Sequence, residues 1–378
     1  MKRFIFIVLG LIGTGMVCAQ KSDPFLWQKN NTTIKLGGYI RVSASADFDG
    51  TIDNNDFIVA DIPVPGKWDK RGSLGIDASA TRLSLNVTQK TTVGDIRFYI
   101  ESDFRGGSSV LRLRQAYISF LGITAGQAWS FLYDPQAIAP PIDIQGDDSR
   151  TFFRTPLIGY THKISKDFTV GASVEMPRTR ITTATGVKSV TQRIPDVPLY
   201  LQYKTAYGHL KLGGVFRGLS YGDTKTEKIK TRFGWGVQLS GSLKPVSFLT
   251  LYAQGEYGEG IARYISDLAV LNVDLLPDSN EAGVMKTIPM CGISCGLRVD
   301  FSKKIYAAAN YSTAILHREE SYITGSDYRW GEYLSCSLFW NAFQNMTVAT
   351  EYLYGHRKNM DDVSGHANRI QLMLKYDF

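Results

Sequence analysis

Hydrophobic and polar residues take turns along most of this chain, and the alternation is clearest in its last stretch. Ile370, Leu372, Leu374, Tyr376 and Phe378 interleave with Arg369, Gln371, Met373, Lys375 and Asp377. A period of two places the two sets on opposite faces of an extended strand. The rhythm returns in Ile40, Val42, Ala44, Ala46 and Phe48 against Tyr39, Arg41, Ser43, Ser45 and Asp47, and again in Leu83, Leu85 and Val87 against Arg82, Ser84, Asn86 and Thr88. About sixteen such segments can be traced, near 33–48, 76–90, 94–105, 110–121, 122–131, 153–164, 168–177, 196–206, 209–220, 232–244, 247–257, 290–302, 304–315, 329–341, 345–355 and 367–378.

The connections sort into two classes. Short ones near 90–93, 166–167, 207–208, 245–246, 303 and 343–344 take strict turns with long ones. Short turns at one end and long loops at the other belong to an up-and-down barrel with both chain ends on the periplasmic side. The fold expected is therefore all-β, a transmembrane antiparallel up-and-down barrel of about 16 strands. An apolar face toward lipid requires the polar face to enclose the lumen. A secreted soluble β-protein would alternate too, but it needs neither a terminal Phe378 nor turns sorted by length. The strand ending at Phe378 is expected to be what the barrel-assembly machinery engages.

Composition agrees once the alternation is known. Mean hydropathy of −0.12 and the lack of a long apolar run offer no membrane-spanning helix. In a barrel the two faces average away. At the start, Lys2 and Arg3 precede an apolar run from Phe4 to Ile12, and Val17-Cys18-Ala19 offers small residues for cleavage. Residues 1–19 read as a signal peptide, 20–32 as a short periplasmic segment and 33–378 as the barrel, placed in a Gram-negative outer membrane. The residues before Cys18 lack the pattern of a lipidation site. The net charge of +7 falls to +5 without Lys2 and Arg3 and is spread along the chain, so nucleic acid is not an expected partner. Cys291 and Cys295 lie about 13 Å apart along one strand, too far for a disulfide. Pairing either with Cys336 would cross an intervening strand, so the thiols are expected to be free and lipid-facing.

The candidate chemistry gathers on the polar faces of the first strands. Arg41, Arg82, Arg97, Arg105, Arg112 and Arg114 share those faces with Glu101 and Asp103. A row of cations in a narrow water-filled channel concentrates anions. The third loop, about 132–152, is stiffened by Pro135, Pro140 and Pro141 and carries Asp134, Asp143, Asp147, Asp148 and Arg150. The sixth, about 258–289, spaces Ile261, Tyr264, Ile265, Leu268, Leu271 and Leu275 as a short amphipathic helix would, lying as a lid on the rim. The five histidines are scattered, and none forms a triad by spacing. His356 and His366 beside Asp361 and Asp362, and Asp47, Asp49, Asp53 and Asp56, read as polar loop residues rather than metal ligands. No cofactor is expected.

Gly38-Tyr39-Ile40-Arg41, the stretch Leu113-Arg114-Gln115-Ala116-Tyr117-Ile118-Ser119, the stretch Thr124-Ala125-Gly126-Gln127-Ala128-Trp129-Ser130 and the terminal Tyr376-Asp377-Phe378 resemble the DcaP-like trimeric porins. The acidic third loop resembles the constriction loop of general trimeric porins, which implies an inward-folded third extracellular loop. The resemblance implies a homotrimer of channels for passive diffusion of small polar, often anionic solutes, embedded in lipid and lipopolysaccharide. It assigns Arg41, Arg82, Arg112 and Arg114 to a basic wall, with Arg97 and Glu101 on the same face. Asp143, Asp147, Asp148 and Arg150 would form the loop side of the eyelet. Some relatives carry an N-terminal heptad segment that is not seen here. The rival readings are a barrel enzyme and an adhesin or receptor whose lumen is plugged by loops.

Overall fold

The computed structural model describes residues 25–50, 52, 54–66, 72–278, 280–317 and 324–378. The expected signal peptide, Cys18 and Asp53 lie outside the described residues. What is described closes into an antiparallel barrel of 16 strands. In chain order these are β1 (Thr32–Phe48), β2 (Gly72–Asp77 and Arg82–Thr91), β3 (Gly94–Gly106), β4 (Val110–Phe120), β5 (Ile123–Trp129), β6 (Arg154–Lys163), β7 (Phe168–Glu175) and β8 (Val197–Thr205). The second half is β9 (Gly208–Asp223), β10 (Lys228–Val246), β11 (Leu249–Glu259), β12 (Pro289–Asp300), β13 (Ile305–Leu316), β14 (Tyr328–Phe343), β15 (Met346–Asn359) and β16 (Ser364–Asp377). Each strand pairs with its neighbour, and β1 closes on β16 from Tyr39↔Asp377 to Asp47↔Arg369. Both segments of β2 pair with β1, so they form one wall strand interrupted at Ala78–Thr81.

The faces divide as the alternation requires. Ile40, Leu83, Phe98, Ile118, Leu212, Leu239 and Leu372 are exposed, while Asp47, Glu101, Arg114, Ser240, Glu256, Ser312 and Glu351 are buried inside. Charge inside and hydrocarbon outside is stable only when lipid surrounds the wall. Exposed Tyr203, Tyr207, Phe248, Phe301, Trp340, Phe343 and Tyr376 cluster where strands meet the lower turns, as an interfacial girdle does. Cys291, Cys295 and Cys336 are free thiols.

Two expectations about the loops need correction. The connections do not take strict turns: above the barrel, Gly107–Ser109 is a single 3-10 turn, and 224–227 and 360–363 are equally short. There β9, β10, β14 and β15 run on for 16, 19, 16 and 14 residues. Their upper parts stand beyond the lipid band, where neither face must be apolar, so the alternation that marks a strand fades. The sixth loop forms no amphipathic helix. It makes two 3-10 turns, Ala262–Tyr264 and Leu268–Val270, yet Ile261, Tyr264, Ile265, Leu268 and Leu275 are all buried. Ile261, Tyr264, Ile265 and Leu268 pack with Ile58 and Ala60 of the first loop, Leu132 of the third and Met290, Ala314 and Tyr328 of the wall, and Leu275 packs with Ile181, Leu219 and Met285. The spacing reported burial correctly. Partners on several sides, rather than one flat surface, removed the reason for a helix.

Candidate functional site: a lumen narrowed between a loop and a basic wall

The third loop, residues 130–153, runs inside the barrel and is tied to the wall at intervals. Near its start, Asp134 accepts from His209 Nε2 (2.8 Å) on β9 and from Ser240 Oγ (2.7 Å) on β10. Lys211 Nζ donates to the carbonyls of Phe131 and Tyr133. Further on, Asn310 on β13 donates to Ala139 O, and the backbone N–H groups of Ile142 and Asp143 donate to Glu351 on β15 at 2.9 and 2.7 Å. Arg41 on β1 donates to Ile142 O (2.5 Å). The chain then returns: Asp148 N–H donates to Ser312 Oγ (2.9 Å), and Thr151 Oγ1 donates to Glu256 and to Tyr264 O. Wall glycines make room for this close packing. A Cβ at Gly292 would lie 2.7 Å from Ser149, one at Gly296 2.9 Å from Ala139, and one at Gly213 2.5 Å from Leu132.

The loop thus lines the lumen from β9 round to β1. The face it leaves is that of β2 to β6, where the basic residues meet. Arg112 forks onto Asp103 (2.9 and 2.7 Å), and Arg114 bridges Glu101 and Asp103, both at 2.7 Å. Arg82 lies 3.7 Å from Glu101 and over the ring of Tyr39. A register shift opposite Glu101 and Ser102 lets Arg114 and its neighbour Gln115 both lie buried. Arg154, which opens β6, sits 4.5 Å above the ring of Trp129. Trp129 in turn stacks on Tyr133 at 4.1 Å and contacts Phe152 at 5.0 Å. Among the described residues, Arg82 Nε and Arg154 Nη1 are buried and have no hydrogen-bond partner.

The residues expected at the site separate into four groups. Arg82, Arg112, Arg114 and Glu101 come together on the wall. Arg97 sits lower on β3, donating to Asn86 and lying over Tyr99. Arg41 is almost fully buried and serves as a clamp on the loop tip, with Ser43 as its other partner. The loop acids do not face the channel: Asp143, Asp147 and Asp148 are 3%, 1% and 1% exposed, on the packed side of the loop. Asp143 accepts from the N–H groups of Phe57 and Gly146, and Arg150 donates back to the carbonyls of Ile144 and Gln145.

Burial decides the charge of these loop carboxyls. It pushes Asp143 up to about 7, with nearby Asp56 and Glu351 adding to the rise. Burial likewise raises Asp147 to about 6, against the opposing pull of Arg150. Asp148 is raised well above the usual carboxylate range by burial and by Asp267. Neither carboxyl oxygen of Asp148 has a partner among the described residues. At neutral pH an acid at about 7 is half ionised and one at about 6 mostly so, so what keeps these carboxyls from the passage is their burial on the packed side of the loop.

Arg154, Trp129 and Tyr133 were missed by sequence reasoning, because parity is undefined at the loop's two ends. His209 was dismissed, yet folding brings its Nδ1 to 3.0 Å from Ser242 Oγ while Nε2 meets Asp134. Among the described residues no cluster of His, Cys, Asp or Glu suits a metal. At the end of β1 Asp47 is engaged by Arg369, and in the first loop Asp56 is engaged by Arg105 and Asp49 by His366.

A barrel of 16 strands with an apolar exterior and a charged interior defines a porin-type channel of the Gram-negative outer membrane. The chain belongs to the porin subfamily, whose match spans residues 30–375. Among solved structures it resembles the outer membrane channel DcaP of Acinetobacter baumannii at 20% identity, with a TM-score of 0.81 over 93% of this chain and 99% of that one. The anion-selective porin from Comamonas acidovorans follows at 10% identity and a TM-score of 0.59, over 92% of this chain and 100% of that one. OmpT of Vibrio cholerae in its trimer form, at 12% identity, gives 0.58 over 92% of this chain and 100% of that one. No curated protein matches the sequence.

Proposed function

We propose that this porin is a passive, non-enzymatic channel that prefers small anionic solutes and works as a homotrimer. One observation carries the preference. Arg82, Arg112, Arg114 and Arg154 face the passage against only Glu101 and Asp103, and two of those arginines keep buried donors without a partner. The loop acids that could offset them are buried. A solute carboxylate or phosphate would meet the accessible parts of Arg82 and Arg112, whose side chains are 25% and 39% exposed. Two structural likenesses support the reading, since one neighbour is named an anion-selective porin and another a trimer form.

Ion selectivity tests it. At about 5 Å in a water-like dielectric, one charge is worth about 0.8 kcal/mol, or roughly fourfold in local anion occupancy. Arg82→Ala and Arg154→Ala are each expected to lower the anion-to-cation permeability ratio by about that factor, and the double change by more. Unchanged reversal potentials in both variants would assign the arginines to structure alone.

A plugged receptor is the second reading, favoured by the apolar packing of the first, third and sixth loops inside the mouth. A steady conductance in a planar bilayer separates a channel from a plug. The enzyme reading gains little from Asp134, His209 and Ser242. Asp134 also accepts from Ser240 and from the Gln136 N–H, which is what a loop tether does. Lipopolysaccharide around the barrel and capture of the last strand by the assembly machinery complete the proposal.

A further inference from the structure

We propose that this protein has a second anion site, where four arginines from three loops hold a tetrahedral oxyanion such as free phosphate. The site shares only Arg154 with the basic wall. Around a cavity of about 80 Å³ meet the end of the third loop, the loop between β7 and β8, and the sixth loop. Arg154 comes from the first of these, where it enters β6, Arg178 and Arg180 from the second and Arg263 from the last. Phe153 and Leu271 supply apolar wall.

The carboxylates nearby are already engaged. Asp274, the only one among the described residues that line the cavity, accepts from Arg217 Nη1 (2.6 Å) and from the Arg180 N–H (3.0 Å). Behind it Asp196 accepts from Arg217 Nε and Arg263 Nη1, both at 3.1 Å. Glu175 accepts from the Phe131 N–H and from Ser173. Arg154, Arg178, Arg180, Arg217 and Arg263 thus face three carboxylates, and positive charge is left over. The guanidinium of Arg178 makes no hydrogen bond or ion pair with a described residue, and burial and the neighbouring Arg180 both lower its pKa. Arg180 commits Nη1 to Val270 O (2.7 Å), and Arg263 commits Nη1 to Met176 O (2.8 Å) and Asp196. Arg154 Nη1 and Thr179 Oγ1 are buried without a partner among the described residues.

Like charges gathered with unmet donors are stabilised by an anion that several of them share. The arrangement favours one kind. Guanidiniums arriving from separate backbone segments do not lie in one plane, so a planar carboxylate, with two oxygens, suits one fork. A phosphate presents acceptor oxygens in several directions and carries up to two charges. The cavity has room for one such group and is far smaller than the roughly 300–1,000 Å³ of a drug-sized ligand's pocket. Its apolar walls lower the local dielectric, which strengthens the attraction.

The test is a calorimetric titration of the full chain in detergent, freed of lipopolysaccharide, with inorganic phosphate at pH 8. Saturable binding of one phosphate per barrel is expected, displaced by sulfate and not by an equal concentration of chloride. Arg178→Ala and Arg180→Ala should each weaken it roughly tenfold, the worth of a charge-assisted hydrogen bond. Lys225→Ala, which removes an exposed cation from the hairpin between β9 and β10, should leave it unchanged. Should Arg180→Ala fail to fold, Arg178→Ala decides, since it breaks no hydrogen bond of the loop. No saturable phosphate binding, or an equal loss in Lys225→Ala, would overturn the site. Lipopolysaccharide micelles that bind wild type but not Arg178→Ala, with free phosphate left unbound, would assign the pocket to a lipid phosphate and overturn the free oxyanion. Phosphate binding in a barrel whose current prefers potassium would leave this site standing and remove the preference proposed for the basic wall. A chloride-selective current without phosphate binding would do the reverse.

Discussion

Arginine does two jobs in this lumen, and its neighbours decide which. Arg41, Arg217 and Arg369 are buried among carbonyls and carboxylates: Arg369 holds Asp47 and the carbonyls of Ile52 and Asn54, and Arg217 holds Asp196, Asp274 and Gly260 O. These are clamps on inward-folded loops. Arg82 and Arg154 each keep one donor without a partner among the described residues, and in the proposed channel they belong to the basic wall. The sequence marks all of them alike, as arginines on a polar face, so it could not tell clamp from wall. It also placed the loop aspartates in the channel, because spacing along an irregular loop does not reveal which side is packed. Their protonation gives a residue-scale prediction. With Asp143 raised to about 7 from its ordinary value of 3.8, the packed loop is favoured by the protonated acid, fully so at pH below that ordinary value, and loses that contribution as pH climbs through about 7. The groups around it are Asp56, Glu351 and Tyr333, with the N–H groups of Phe57 and Gly146. Protease cutting within 143–150 should therefore rise between pH 5 and 8. Asp143→Asn should flatten that rise, and an unaltered profile would count against the assignment.

At the scale of elements, alternation was enough to find each wall strand. Every spanning residue must face either lipid or lumen, so parity carries the information that a soluble protein dilutes over many environments. It failed where that constraint lapses: in the polar hairpins above the membrane, at the interruption between Asp77 and Arg82, and in the sixth loop. The fit of loop against wall was also hidden, because it depends on glycines whose role is to be absent of side chain. Gly292 takes Ser149 and Gly213 takes Leu132. Gly292→Val, with a Cβ only 2.7 Å from Ser149, should lift the returning strand of the third loop from β12. Overpacking of this sort typically costs about 1–3 kcal/mol. The expected readout is a larger or noisier single-channel conductance with the barrel still folded. A conductance equal to wild type would mean that the loop does not set the bore.

For the molecule as a whole, charge placement matters more than charge total. The formal net charge of +7 is modest, and the loop acids are buried on the packed side of the loop, so in the proposed channel the field in the passage is set by a few guanidiniums close together. Low-dielectric surroundings and a narrow bore focus such a field on a permeating ion. The most direct measurement is the zero-current potential of the wild-type protein across a planar bilayer in a potassium chloride gradient. A steady conductance whose reversal potential favours chloride is the predicted result. A channel that prefers potassium, or a folded barrel that passes no steady current, would contradict the account.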